Sequence, residues 1–166
     1  MDNVLTPPQT IGPFFHFALT PDTSLGCVVE PSVKGERIRL VCRVRDGEGS
    51  LVTDAMIELW QADIAGFGRL ATDADGACTF ETVRPGAIGG QAPHINVSIF
   101  ARGLMDRLVT RIYFEGDPAN ERDAVLALVP AERRGTLLAR ADPERRGVWN
   151  FEIQLQGGGE TVFFDI

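Results

Sequence analysis

Alternation of apolar and polar side chains begins just after Glu36. Arg37-Ile38-Arg39-Leu40-Val41-Cys42-Arg43-Val44-Arg45 places Ile38, Leu40, Cys42 and Val44 on one face and mostly arginines on the other, which predicts a half-buried strand. Asp46-Gly47-Glu48-Gly49 then reads as a turn. Further strands are predicted over 55–62, through Cys78 and Phe80 after an Asp73-Ala74-Asp75-Gly76 turn, and over 95–100, 108–114, 149–156 and 161–164. Residues 85–90 read as a loop, and only 120–129 reads as a helix. Short strands separated by Gly/Asp turns predict a mostly-β sandwich with one short helix. Residues 1–35 follow another rule. Pro7, Pro8, Pro13, Pro21 and Pro31 interrupt regular structure. Phe14, Phe15 and Phe17 stand among them and need an apolar surface to lie on, either this chain's body or a partner's. The chain therefore divides into an irregular N-terminal arm, 1–35, packing on the body or a partner, and a β-sandwich core domain, 36–166.

Composition narrows the partners. The 166 residues fit one domain with a sizeable core, and the 44% hydrophobic content is ordinary. A net charge of −7 argues against nucleic acid or an anionic membrane as partner. It leaves a small anionic ligand open, because local charge can oppose net charge. Cys27, Cys42 and Cys78 are an odd, widely spaced set without a CxxC pair, so neither a cysteine zinc site nor a disulfide framework is expected. Cys42 lies in the apolar alternation and reads as a buried small hydrophobe. No basic stretch precedes an apolar run at Met1-Asp2-Asn3-Val4, and no apolar run is long enough to span a bilayer. A reducing cytoplasm is the expected compartment.

Few residues could carry chemistry. The chain has two histidines, His16 and His94, and one tyrosine, Tyr113. It has no GxSxG elbow, phosphate loop, dinucleotide fingerprint or HExxH. Gly157-Gly158-Gly159, between two predicted strands, reads as a hairpin turn. His94 begins a predicted strand, with Asn96 two residues on and so on the same face. An H-x-H pair there would aim two imidazoles at one metal, but an amide replaces the imidazole poorly. Taken alone, His94 reads as a hydrogen-bonded structural histidine. A metal site of His94, His16 and Asp63 has no support from spacing, and a Cys27–His16 nucleophile lacks an orienting group.

Several blocks in one order resemble a known family. Ile57-Glu58-Leu59-Trp60-Gln61-Ala62-Asp63 is similar to the E-x-W-Q-A strand of the intradiol ring-cleavage dioxygenases. Thr72-Asp73-Ala74-Asp75-Gly76, Thr82-Val83-Arg84-Pro85-Gly86, Ala92-Pro93-His94-Ile95-Asn96 through Arg102-Gly103, and Arg111-Ile112-Tyr113-Phe114-Glu115-Gly116-Asp117 continue the match. Thr6-Pro7-Pro8-Gln9-Thr10-Ile11-Gly12-Pro13 resembles the family's N-terminal arm, and Gly159 to Asp165 resembles the ending of its alpha-type subunits. The resemblance implies an intradiol-type β-sandwich. It also implies cleavage of a catechol by O₂ at Fe(III) held by two tyrosinates and two histidines.

By that resemblance the tyrosine positions fall at Phe67 or Gly68 and at Ile88, and the histidine positions at His94 and Asn96. Three of the four lack a usable donor, so no catalytic residue and no iron are expected in this chain. The pattern resembles the alpha-type subunit of the family's hetero-oligomers, which would pair with a homologous beta subunit that binds the Fe(III). Protocatechuate and O₂ would then react at the shared site. Thr10, Gly12, Pro13 and Arg102 would reach the partner's substrate cleft, where a guanidinium suits the carboxylate of protocatechuate. Phe14 stands where a tyrosine is common, and the loops at 63–68 and 86–91 are short for the family. A non-catalytic β-sandwich binding or interaction module is the alternative.

Overall fold

The computed structural model describes residues 7–12 and 15–165, with His16 described in its backbone only. Eight strands carry the fold: β1 (Arg37–Arg45), β2 (Met56–Gln61), β3 (Gly66–Ala71), β4 (Ala77–Val83), β5 (Ile95–Phe100), β6 (Leu108–Phe114), β7 (Leu138–Ala141) and β8 (Val148–Gln154). They run in the order β3-β2-β5-β6-β7-β8-β1-β4. Two four-stranded halves, β3-β2-β5-β6 and β7-β8-β1-β4, meet where β6 pairs in parallel with β7 at Tyr113–Leu138 and Phe114–Ala139. The result is the two-layer sandwich that the alternation predicts.

Strand β1 shows why the sequence pattern sufficed. Ile38, Leu40, Cys42 and Val44 are all buried, while the arginines between them face out. They pack against Ile57, Leu59, Val97, Ile99, Phe80, Phe151 and Ile153 in one shared core. The outward arginines are paired: Arg43 and Arg45 both reach Glu152, at 2.9 and 3.3 Å.

Several expectations need correction. The segment 66–71, where no strand was expected, is strand β3; it forms because Gly66 and Gly68 let other chain segments press close. Residues 161–164 do not form a strand. They run beside β6 on single hydrogen bonds, Phe164 N to Val109 O and Thr110 Oγ1 to Val162 O, with no ladder. The helix expected over 120–129 is broken. A 3₁₀ turn, Pro118–Arg122, gives way at Asp123 to the short α2, Ala124–Leu128. A second short helix, α1 (Phe15–Leu19), lies in the arm, so the fold has more than one short helix. Strand β7 also went unpredicted, its four residues being too few for periodicity.

The arm segment 23–29 closes the edge of the sandwich opposite the β6–β7 seam. Val28 enters the main core, and its N–H donates to Glu81 O on β4 at 2.9 Å. A side-chain carbon at Gly68 would meet Val28 Cγ2 at 2.7 Å and Leu25 O at 2.9 Å. One at Gly66 would meet Val28 O at 2.8 Å. Two buried polar groups tie the layers together here: on β2, Gln61 Nε2 donates to Val83 O, and Thr82 Oγ1 on β4 donates to Gln61 Oε1 at 2.6 Å.

Gly68→Ala should therefore destabilise the chain by about 1–3 kcal/mol, because a backbone carbonyl cannot rotate aside as a side chain can. Urea denaturation reads this as a lower midpoint with an unchanged slope, and an unchanged midpoint would contradict the packing described.

Candidate functional site

Strand register assembles the site on the outer face of the β3-β2-β5-β6 half. Phe67 on β3 lies opposite Trp60 on β2, Trp60 opposite Asn96 on β5, and Asn96 opposite Arg111 on β6. Phe67 and Trp60 are 39% and 45% exposed, and Arg69 holds its guanidinium 5.3 Å from the Phe67 ring. Gly68, one residue on, points into the core against Val28, so of the two candidate positions only Phe67 shares the face of Asn96.

His94 lies at the start of β5, on the side of Asn96, with its ring centroid 5.7 Å from that of Tyr113. It is buried, and its Nδ1 lies 2.8 Å from Ala92 O. A carbonyl only accepts, so Nδ1 carries the proton in this contact. Ile88, 41% exposed, sits at the tip of a turn closed by Gln91 N to Ile88 O. Both ends of that loop are tied to the face. Gly86 N donates to Asp63 Oδ2 in the β2–β3 connection at 2.8 Å, and Arg111 donates to Gln91 Oε1 at 2.8 Å. Asp63 thus has a loop-anchoring role.

A buried carboxylate organises this end. Asp123 accepts from Ala92 N, Tyr113 Oη, Val125 N and Leu126 N, at 2.7–3.0 Å. It caps α2, fixes the Gln91–Ala92 peptide two residues ahead of His94 and orients Tyr113. Burial alone would raise its pKa, but the N–H groups and the tyrosine hydroxyl hold it below 3.8. Tyr113 is pushed up to about 12, chiefly by burial, against the lowering effect of Arg111. No sequence motif announced Asp123, which fell inside the run 120–129 that reads as helical; only the structure makes it the cap of α2.

The arm meets the opposite end of β5. Thr10 Oγ1 accepts from Gly103 N at 2.7 Å, so Thr10 and the Ala101–Gly103 turn come together. Arg102 on that turn is 63% exposed at its side chain, and its Nε donates to Asp54 Oδ2. Gly12 is exposed, with no atom near the position of a side-chain carbon. Pro13 and Phe14 lie outside the described residues, as does the side chain of His16. The structure therefore joins the sequence-predicted residues into two groups: Phe67, His94 and Asn96, bordered by the Ile88 loop, at one end, and Thr10 with Arg102 at the other. A cleft of about 450 Å³ beside Arg102 is lined by Asp46, Glu48, Val52, Leu104 and Leu155.

The side chains at the first group do not fit a ferric ion. Phe67 and Ile88 offer no donor atom, Asn96 offers a neutral amide, and His94 Nε2 is the one good ligand atom. Among the described residues, no group of three or more His, Cys, Asp or Glu could hold a metal ion. No helix among them is long and apolar enough to cross a membrane.

The two-layer fold and the ordered blocks find their counterparts in a family described as Dioxygenase, whose model matches residues 12–157, and the chain belongs to the intradiol ring-cleavage dioxygenases. Among relatives, the alpha chain of protocatechuate 3,4-dioxygenase from Burkholderia cepacia is 42% identical over 191 residues, covering 97% of each chain. The beta chain of protocatechuate 3,4-dioxygenase from the same organism is 32% identical over 148 residues, covering 74% of this chain and 61% of its own. The dioxygenase domain of a dioxygenase carbohydrate-binding protein fusion from Streptomyces sp. SirexAA-E matches with a TM-score of 0.66 and 25% identity, over 95% of this chain and 96% of that one. The alignment with the alpha chain is longer than the 166 residues here, so that relative carries segments this chain lacks.

Asp123→Ala should lower stability by about 2–4 kcal/mol, since it uncaps α2 and leaves buried donors unpaired. The folded-state pKa is depressed, so the carboxylate's contribution is full above about pH 4 and fades as pH falls through the lower folded value. The variant should accordingly show a shallower loss of stability on the acid side. Urea midpoints measured from pH 6 down to pH 3 check this, and a slope equal to that of the unsubstituted chain would count against it.

Proposed function

We propose that this chain is the alpha subunit of a hetero-oligomeric protocatechuate 3,4-dioxygenase. A homologous beta subunit bears the Fe(III), and the assembly converts protocatechuate and O₂ to 3-carboxy-cis,cis-muconate. The observation that carries the reading is the 42% identity to an alpha chain over nearly the full length of both chains. The donor-poor set Phe67, Ile88 and Asn96 supports the division of labour, because two phenolates and a second imidazole are missing at matching positions.

The chain's part in catalysis is then binding and orientation. Thr10 and Arg102 already lie together, through the Thr10–Gly103 hydrogen bond, on a surface beside the exposed Gly12. In the assembly this surface lines the partner's cleft. Asp54 engages Arg102 at Nε, which leaves the terminal nitrogens to meet the carboxylate of protocatechuate. Gly12 permits close approach, since nothing crowds it. The 1–35 segment acts both as an edge closure of its own sandwich and as a reach toward the partner.

Co-expression with the beta subunit should give an iron-containing, active complex, while the isolated chain should hold no stoichiometric iron and show no turnover. Ferric iron and activity in the isolated chain would overturn the assignment. Arg102→Ala in the assembled enzyme should raise KM for protocatechuate roughly 10-fold or more, with a much smaller effect on catechol, which lacks the carboxylate. Equal effects on both substrates would remove the carboxylate contact.

A further inference from the structure

On the β7-β8-β1-β4 half, away from both groups of predicted residues, a cleft of about 340 Å³ collects positive charge. Its floor is the β1–β4 ladder where Ile38 lies opposite Thr82. One wall is the arm, laid along β4 by the Cys27–Glu81 bridge and by the hydrogen bond from Val28 N to Glu81 O. The other wall is the turn before β8, where Gly147 O accepts from Arg39 N at 2.8 Å. Arg37, Arg39 and Arg146 line the space, and Glu81 is the one carboxylate among the lining residues. The three guanidiniums are unequally engaged. Arg37 Nη2 donates to the carbonyls of Glu30, Pro31 and Val33 at 3.1–3.2 Å, so the arm orients it and leaves Nε and Nη1 to a ligand. Arg39 meets Glu81 only at 3.9 Å, with side chains 62% and 64% exposed, a pair of little worth in water. Arg146 makes no ion pair or side-chain hydrogen bond among the described residues.

We propose that this cleft binds a small planar organic anion with two or more carboxylates, a class that includes the product of the proposed reaction. Three cations facing one carboxylate focus a positive field locally, although the whole chain carries a net charge of −7. A guanidinium fork meets a carboxylate edge to edge through two parallel hydrogen bonds. Forks on different walls call for carboxylates several atoms apart, which a single inorganic anion does not offer. The volume falls at the lower end of the roughly 300–1,000 Å³ typical of small-ligand sites. A ladder floor between charged walls suits a flat carbon skeleton. A side-chain carbon at Gly147 would stand 3.4 Å from Arg37 O, so glycine keeps the space beside Arg37 clear. The site is built from this chain's residues alone, and it stands whether or not an iron-bearing subunit is present.

Cys27 at the rim can report occupancy, because it is exposed while Cys42 and Cys78 are buried. Alkylation of Cys27 by iodoacetamide is followed by peptide mass spectrometry, in the full chain alone and in the co-expressed complex. With 3-carboxy-cis,cis-muconate at about ten times its Kd, alkylation should slow roughly 10-fold by mass action. Protocatechuate, with one carboxylate, should need at least about 10-fold more for the same protection. Arg39→Gln and Arg146→Gln should each raise the half-protecting muconate concentration at least about 10-fold, with Tm unchanged because both side chains are exposed. Protection by trans-aconitate, another planar tricarboxylate, supports the class, and equal strength removes any preference for the product. No protection at millimolar muconate overturns the site. So does equal protection by phosphate, by protocatechuate or by sodium chloride at matched ionic strength, or undiminished protection in both variants. Failure to assemble with an iron-bearing subunit strikes the alpha-subunit reading instead, and the isolated-chain measurement still decides this site.

Discussion

A two-layer sandwich has two open edges, and this chain must close both. The β6–β7 pairing seals one, and the segment carrying Val28 seals the other. The second closure constrains the rest of the site. Gly66 and Gly68 have no side chain because Val28 and Leu25 occupy that volume. With the inner positions of β3 so fixed, the outward ones, Phe67 and Arg69, are delivered to the face shared by Trp60 and Asn96. Gln61, hydrogen-bonded to Thr82 and Val83, then holds the two layers in register at the same corner.

The architecture was legible where side chains alternate cleanly. β1, β2, β5 and β8 largely follow the apolar–polar rhythm, β6 shows as a run of β-formers, and each lies within about two residues of its expected bounds. β3 was hidden because its inner positions are glycines, which carry no hydrophobic signal. β7 was too short to show a period. Residues 161–164 misled because Val162, Phe163 and Phe164 read as a strand, whereas they pack beside β6 with isolated hydrogen bonds.

The site was legible only in part. Position along the strands placed His94 and Asn96 on one side, and the structure keeps them so. The choice between Phe67 and Gly68 could not be made from sequence, because it depends on which side of β3 faces Val28. Asp123 was invisible as an organiser, since its four partners come from the loop at Ala92, from β6 and from α2. Sequence proximity hinted only at the last of these. The meeting of Thr10 and Gly103 likewise joins residues 93 positions apart.

The Arg102–Asp54 pair has a consequence for how an anion would be received. A long arginine side chain loses roughly 2 kcal/mol of rotamer freedom when it is immobilised. Here part of that loss is met during folding, before any ligand arrives, because Asp54 already restrains the Nε edge. The same carboxylate cancels much of the guanidinium's distant field, in a chain already carrying a net charge of −7. In the proposed role the arginine would be a poor lure over long range and a partly oriented contact at close range. It would contribute less to the speed of encounter than to the choice among ligands once they have arrived.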